Sequence, residues 1–320
     1  MSNKLEGRKK LLDYKEFGIF IVFFALVVVL MIISPNAFAK PRNLINILKQ
    51  ASVNGILSCG MMFVIIAGGI DLSAGSTIAL SGVVAALCAK VEGLPVIVAI
   101  LAALAIGAAV GLVNGFGVAY AGLPPFIITL ATMTGMRGLA LIVSGGSPVY
   151  GLTQSFENLT SWFVFGIPIL AVYFIIIVLF AGFILTKTVF GRRVYAIGGS
   201  EATARVTGIS VKRMKLAVYT IGGISAGIAG LLVASRTVQG SPTAGAGYEM
   251  DAIAAVVIGG ISMSGGSGKW YGTIIGALLL SVISNALDIL GVSSNYQQII
   301  KGVIIAVAVY LDLRGKVNQE

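Results

Sequence analysis

The stretch 186-TKTVFGRRVYAIGGSEATARVTGISVKRMK-215 decides how the chain is read, because it is the one long polar interruption in an otherwise apolar sequence. It carries Lys187, Arg192, Arg193, Arg205, Lys212, Arg213 and Lys215 against one acidic residue, Glu201. A basic loop between hydrophobic spans is retained on the cytoplasmic side, so this segment orients everything before and after it. Within it, 201-EATARVTG-208 has the composition of a short helix: Ser200 caps it, Glu201 sits in the first turn where the helix dipole favours an anion, and Gly208 ends it. Two uses fit such an element, a solvated connector whose charges only set topology and a docking helix for a cytoplasmic partner.

Composition around the loop fixes the class. Apolar residues make up 57% of the 320 positions and charged ones only 11%, too few charges for the surface of a soluble domain. The net charge of +10 gathers at span ends and in the loop, which topology explains better than nucleic-acid binding does. Cys59 and Cys88 lie in apolar runs and the chain has no His, so neither a disulfide framework nor a metal site is expected.

Outward from the loop, the spans are expected at Phe17–Ser34, Asn43–Ala67, Thr77–Ala89, Val96–Tyr120, Phe126–Val143 and Pro168–Leu185 before it. Leu216–Ala234, Ala252–Gly260, Tyr271–Ile289 and Gln297–Leu311 follow it. This is an all-α polytopic protein of about ten transmembrane helices. Residues 1–16 form a basic cytoplasmic segment, 17–313 the membrane domain with the loop at 186–215, and 314–320 a cytoplasmic tail, so both termini lie inside. The scheme leaves Lys40, Arg42 and Lys49 on the outside, against the general rule.

Gly107, Gly111 and Gly115 make a GxxxGxxxG ladder whose spacing admits a closely packed neighbouring helix. The segment 68-GGIDLSAGS-76 is too polar and glycine-rich for a lipid-facing helix interior, and it is echoed by 259-GGISMSGGS-267. The echo suggests duplicated halves, a construction found in transporters with a central pathway. The span order puts both copies on one side, whereas an inverted repeat would put them on opposite sides.

No paired carboxylates, nucleophile and base, or metal-ligand spacing occur in the spans, so intramembrane chemistry is not expected. The segment 264-SGGSGKW-270 fails as a phosphate loop, with Met263 where glycine is needed and Trp270 where a hydroxyl is needed. If transport here is driven by ATP, another chain must bind the ATP and its Mg.

The segments 68-GGIDLSAGS-76, 195-YAIGGSEATARVTGISVKRMK-215, 241-SPTAGAGYEMDAIAAVVIGGISMSGGSG-268 and 291-GVSSNYQQIIKG-302 resemble the signature segments of ribose-type (monosaccharide) ABC importer permeases, from about Pro41 to the C-terminus. That resemblance implies an inner-membrane permease subunit paired with a second copy of itself, a cytoplasmic ABC ATPase and an extracytoplasmic sugar-binding protein. It implies a coupling helix carrying Glu201, Ala204, Arg205 and Gly208, with the alanine-rich triplet of such loops interrupted by Thr203. A neutral sugar calls for amides and hydroxyls, and Asn54, Asp71, Ser73, Asn114, Ser281 and Asn285 are candidates for the pathway, although each can equally bond a neighbouring helix. Tyr248, Glu249 and Asp251 are candidates for an outer gate or for contact with the binding protein. An ion pair of Arg137 with Asp71 or Asp288 is a further possibility, with snorkelling of Arg137 as its rival. The competing class is a secondary transporter or facilitator acting alone, which the scarcity of intramembrane acidic groups disfavours.

Overall fold

The structure, a computed structural model, describes residue 18 and residues 20–317 of the chain. The basic segment expected at 1–16 therefore lies outside the described residues, as do positions 318–320. The chain is almost wholly helical. An apolar helix α1 (Phe20–Ile33) leads through a one-turn α2 (Pro35–Phe38) into α3 (Pro41–Ile66), α4 (Ala74–Lys90), α5 (Val96–Ala119) and α6 (Pro125–Ser144). A short α7 (Gln154–Ser161) and a two-stranded hairpin, β1 (Phe163–Val164) with β2 (Ile167–Pro168), precede α8 (Ile169–Lys187). Then come α9 (Val189–Gly199), α10 (Glu201–Val206), α11 (Val211–Thr237), α12 (Tyr248–Ile258), α13 (Trp270–Ile289) and α14 (Ser294–Val317).

Among the described residues six helices, α3, α5, α6, α8, α11 and α13, are long and apolar enough to cross a membrane. Two more, α1 and α4, are apolar but shorter. The expected spans are all helical, with shifted ends. α3 starts at Pro41, because proline suits the first helical position, and α14 runs on to Val317 through the region expected as tail. The Ser144–Ser161 loop holds α7, whose Phe156 is fully buried. The basic loop contains two helices where one was expected. The missed α9 is marked by Val194 and Ile197, three apart and both buried on one face.

The bundle is organised along α11, whose glycines admit backbone contacts. A Cβ added at Gly107 would overlap the Gly223 carbonyl, one at Gly111 the Tyr219 carbonyl, and one at Gly115 the backbone of Leu216, so the ladder on α5 is a packing seam against α11. α4 crosses the same helix at Gly82 and Gly230, and α3 crosses it at Gly60 and Ser225. Lys49, awkward in the topology, holds its ammonium 5.2 Å from the ring centre of Phe163 on the hairpin.

α4 and α12 do not cross from end to end. α4 begins inside the bundle and runs away from the loop-bearing end, its Ala89 carbonyl accepting from the Thr153 N–H at 3.1 Å. α12, eleven residues and so about 16 Å long, begins beside the start of α4 and runs toward the loop-bearing end. The two glycine-serine copies are the turns at that end, one joining α3 to α4 and the other α12 to α13. They touch: the Gly266 N–H donates to Ile66 O at 2.8 Å, and a Cβ at Gly265 would meet Gly68 N at 2.8 Å.

Gly107→Leu should lower the melting temperature in detergent and the amount recovered from membranes, because it forces a side chain into the α11 backbone at a cost of about 1–3 kcal/mol or more. Gly135→Ala on α6, where an added Cβ meets nothing within 4 Å, should leave both unchanged.

Candidate functional site

Where α4 and α12 begin, backbone groups that a continuous helix would pair internally must find partners inside the protein. At α4 the partner is Asp71. Its Oδ1 accepts from the Ser73 N–H at 2.8 Å and the Ser73 hydroxyl at 2.6 Å, as in an Asx-turn. Asn114 on α5 donates to Ser73 Oγ at 2.8 Å and weakly to Asp71 at 3.4 Å, while its own carbonyl accepts from the Thr132 hydroxyl of α6 at 2.7 Å. Tyr219 of α11 closes the ring by donating to Ile70 O at 3.2 Å. Asp71, Ser73 and Asn114 are all buried, and this network ties α4, α5, α6 and α11 together.

At α12 the irregular segment 238–247 descends beside α4, and its carbonyls are claimed by Arg137. The guanidinium donates to Pro242 O at 2.7 Å and Ala244 O at 2.8 Å. The pairing of Arg137 with Asp71 or Asp288 is therefore not formed, and the side chain turns inward to satisfy backbone where snorkelling would take it outward. Asp288 instead accepts from Gln297 Nε2 at 2.8 Å. Glu249, in the first turn of α12, packs on Gly75, where any Cβ would overlap its carboxylate, and accepts from the Gly247 N–H at 3.3 Å. The starts of the two interrupted helices therefore abut.

Beside this junction a cavity of about 540 Å³ opens between α12 and α14. Tyr248 and Asp251 reach it from α12, and Gln297, Gln298 and Lys301 from α14. Lys301 holds Asp251 at 2.8 Å, with side chains 24% and 9% exposed, so the one strong charge pair here borders a space large enough for a small polar solute.

The other expected pathway residues lie apart. Ser281 bonds its own helix at Ala277 O. Asn285 makes a reciprocal pair with Asn43, with distances of 2.9 and 2.7 Å, pinning α13 to α3. Asn54 is buried, with its Oδ1 lacking a hydrogen-bond partner among the described residues. None of the six lines the α12–α14 cavity. Gln297, Gln298 and Lys301 were not singled out from the sequence, although they sit in the 291–302 segment that carried part of the resemblance.

The second feature is the helical pair in the basic loop. Thr188 caps α9 by accepting from the Gly191 N–H at 3.1 Å, and Ser200 caps α10 by accepting from the Thr203 N–H at 3.2 Å. Gly208, at φ +79°, ends α10 as a left-handed residue should. Glu201 pairs with Lys215 and, at 3.5 Å, with Arg205. Ala204 is buried against the rest of the chain, so α10 lies with that side inward, while Val206 is 89% exposed and Arg205 points to solvent. α9 is fastened to the touching turns: Gly198 lies against Ile66 O and Gly266 N with no room for a Cβ, and Tyr195 donates to Gly268 O at 2.9 Å. Burial pushes the Tyr195 hydroxyl up to about 12, so it stays a donor at any physiological pH.

Comparison with known proteins adds an independent line. The family described as "Branched-chain amino acid transport system / permease component" matches residues 43–309. A ribose import permease protein of Escherichia coli (strain K12) is 46% identical over 297 residues, which is 91% of this chain and 92% of that protein. The ribose import permease protein of Bacillus subtilis (strain 168) is 43% identical over 300 residues, 93% of this chain and 92% of the relative. A xylose transport system permease protein of Escherichia coli (strain K12) is 33% identical over 362 residues, covering 93% and 92%. No solved structure matches the chain.

Lys301→Met should strand the Asp251 carboxylate and cost about 1–3 kcal/mol in thermal unfolding, whereas Asp251→Asn with Lys301→Met should recover most of that loss. A loss in the double variant equal to the sum of the two single-variant losses would show that the pair is not coupled.

Proposed function

The chain belongs to the permease family of binding-protein-dependent ABC importers, and on that premise we propose how its geometry serves sugar import. It is a multi-pass membrane protein of the inner membrane, the translocation subunit of a monosaccharide importer. Ribose or a closely related sugar is the substrate, delivered by an extracytoplasmic binding protein. A separate ABC ATPase binds ATP and Mg. Two copies of the chain form the pore, each contributing about ten membrane helices including the short α4 and α12, with both termini and the 186–215 loop in the cytoplasm.

One observation carries the coupling reading: α10 is capped at its start, anchored inward by Ala204 and bares Val206 outward, next to an α9 fastened to both glycine-serine turns. An ATPase gripping α10 through Arg205, Val206 and the outer side of Glu201 moves α9 with it. α9 in turn pulls on the two touching turns, which lead into α4 and α12. Those helices abut at Gly75 and Glu249, beside the α12–α14 cavity, so a displacement at the cytoplasmic end changes the bore there as a rigid-body shift. Tyr248, Asp251, Gln297, Gln298 and Lys301 form the polar wall that a neutral sugar slides along. Asp71, Ser73 and Asn114 keep the start of α4 in place, with Tyr248, Glu249 and Asp251 as the gate.

Vesicles holding this chain with its ATPase and binding protein should take up labelled ribose only with ATP and both partners present. Val206→Asp should lower uptake at least about tenfold while membrane insertion and melting stay unchanged, because the residue touches nothing it needs for folding. ATP-independent uptake by the chain alone would replace the importer reading with a secondary carrier.

A further inference from the structure

A cavity of about 420 Å³ opens at the loop-bearing end, between the turn that joins α5 to α6 and the stretch from α10 to the start of α11. Three cations, Arg205, Lys212 and Lys215, line it with one carboxylate, Glu201. Glu201 is engaged by Lys215 and Arg205, which leaves Lys212 paired with no carboxylate among the described residues. Its ammonium sits 5.5 Å from the ring centre of Tyr120, which fixes the charge at the cavity wall. The wall also holds Pro125 and Val211, where α6 and α11 begin, and neither helix has a side-chain cap. Both positive dipole ends therefore add to the excess positive charge of the side chains.

The rim differs from the wall. Phe116 and Tyr120 stack at 5.4 Å and stand exposed, and Leu123, Phe126 and Ile127 beside them are exposed as well. They continue into the outward faces of α5 and α6, where Leu112, Val113 and Leu130 are also exposed. A basic hollow opening onto a continuous apolar face has the shape and charge of an amphiphile site. A soluble anion has no use for the apolar half.

We propose that this cavity binds the headgroup phosphate of an anionic phospholipid of the cytoplasmic leaflet, with its acyl chains lying along α5 and α6. The proposal rests on the membrane-spanning reading of the chain, and Arg205 is shared between this cavity and the ATPase contact proposed above. The bound phosphate bridges the α5–α6 turn to Arg205 and Lys212, so it braces α10, the element proposed above to take up movement from the ATPase. Membranes poor in anionic lipid leave α10 unbraced, and import depends on lipid composition as well as on ATP.

The full-length chain in detergent, incubated with equal amounts of phosphatidylglycerol and phosphatidylcholine and analysed by native mass spectrometry, tests this directly without any transport readout. Wild type should retain phosphatidylglycerol over phosphatidylcholine by at least about tenfold. Arg205→Gln with Lys212→Gln, both at exposed positions, should abolish that preference with an unchanged melting curve. Arg192→Gln with Arg193→Gln, which removes the same charge from the exposed side of α9, should keep it. An unchanged preference in the first variant, or an equal loss in the second, would overturn the proposal. Displacement of the lipid by millimolar inorganic phosphate would assign the cavity to a soluble anion. Loss of ATPase binding in the first variant with lipid retention intact would assign it to the ATPase.

Discussion

The constraint on which this structure turns is that backbone cannot be left unpaired inside a bundle, yet two helices, α4 and α12, begin there. The surrounding residue choices follow. Asp71 supplies the acceptor that the first turn of α4 lacks, and Arg137 supplies the donors that the 238–247 carbonyls lack. Glycines 75 and 245 let the two starts approach closely enough to be shielded by one another. Asp71 and Arg137, which look like transport chemistry in the sequence, are in space the fittings of an interrupted backbone.

Interrupted helices begin and end at turns inside the bundle. A continuous span is held along its whole length, as α5 is by its glycine seam on α11. A turn built from glycine and serine is the easiest place to absorb a small rotation. Both such turns lie together under α9, so one displacement at the loop-bearing end reaches both helices at once. The cavity between α12 and α14 lies at the far end of that linkage, bordered by the Asp251–Lys301 pair. That cavity and the loop-bearing end are thereby separated by the length of α12.

The basic loop serves more than one purpose with the same charges. Glu201 braces α10 against Lys215 and Arg205, and Lys212 lines a hollow of its own. Neighbouring residues on a short helix point in different directions, so Ala204 anchors inward while Val206 stands free. Residues of one loop thus divide between packing and electrostatics.

Much of the fold is legible in the residues themselves, because hydropathy, helix caps and glycine spacing act over a few positions. The long apolar runs mark the spans, Ser200 and Gly208 mark the ends of α10, and Gly107, Gly111 and Gly115 mark a close helix contact. The family is legible for the same reason, in segments that stay contiguous along the chain. Partners distant in sequence are not. That Asn114 meets Ser73, that Arg137 meets Pro242, and that Lys301 meets Asp251 depend on which faces of separate helices come together. A polar residue in an apolar run reads alike whether it borders a cavity, makes the Asx-turn ahead of a helix or bonds its own backbone, as Asp251, Asp71 and Ser281 respectively do. Only the packing of α11 against α3, α4 and α5 sorts these cases, since burial and pairing are properties of the assembled bundle and not of any one segment.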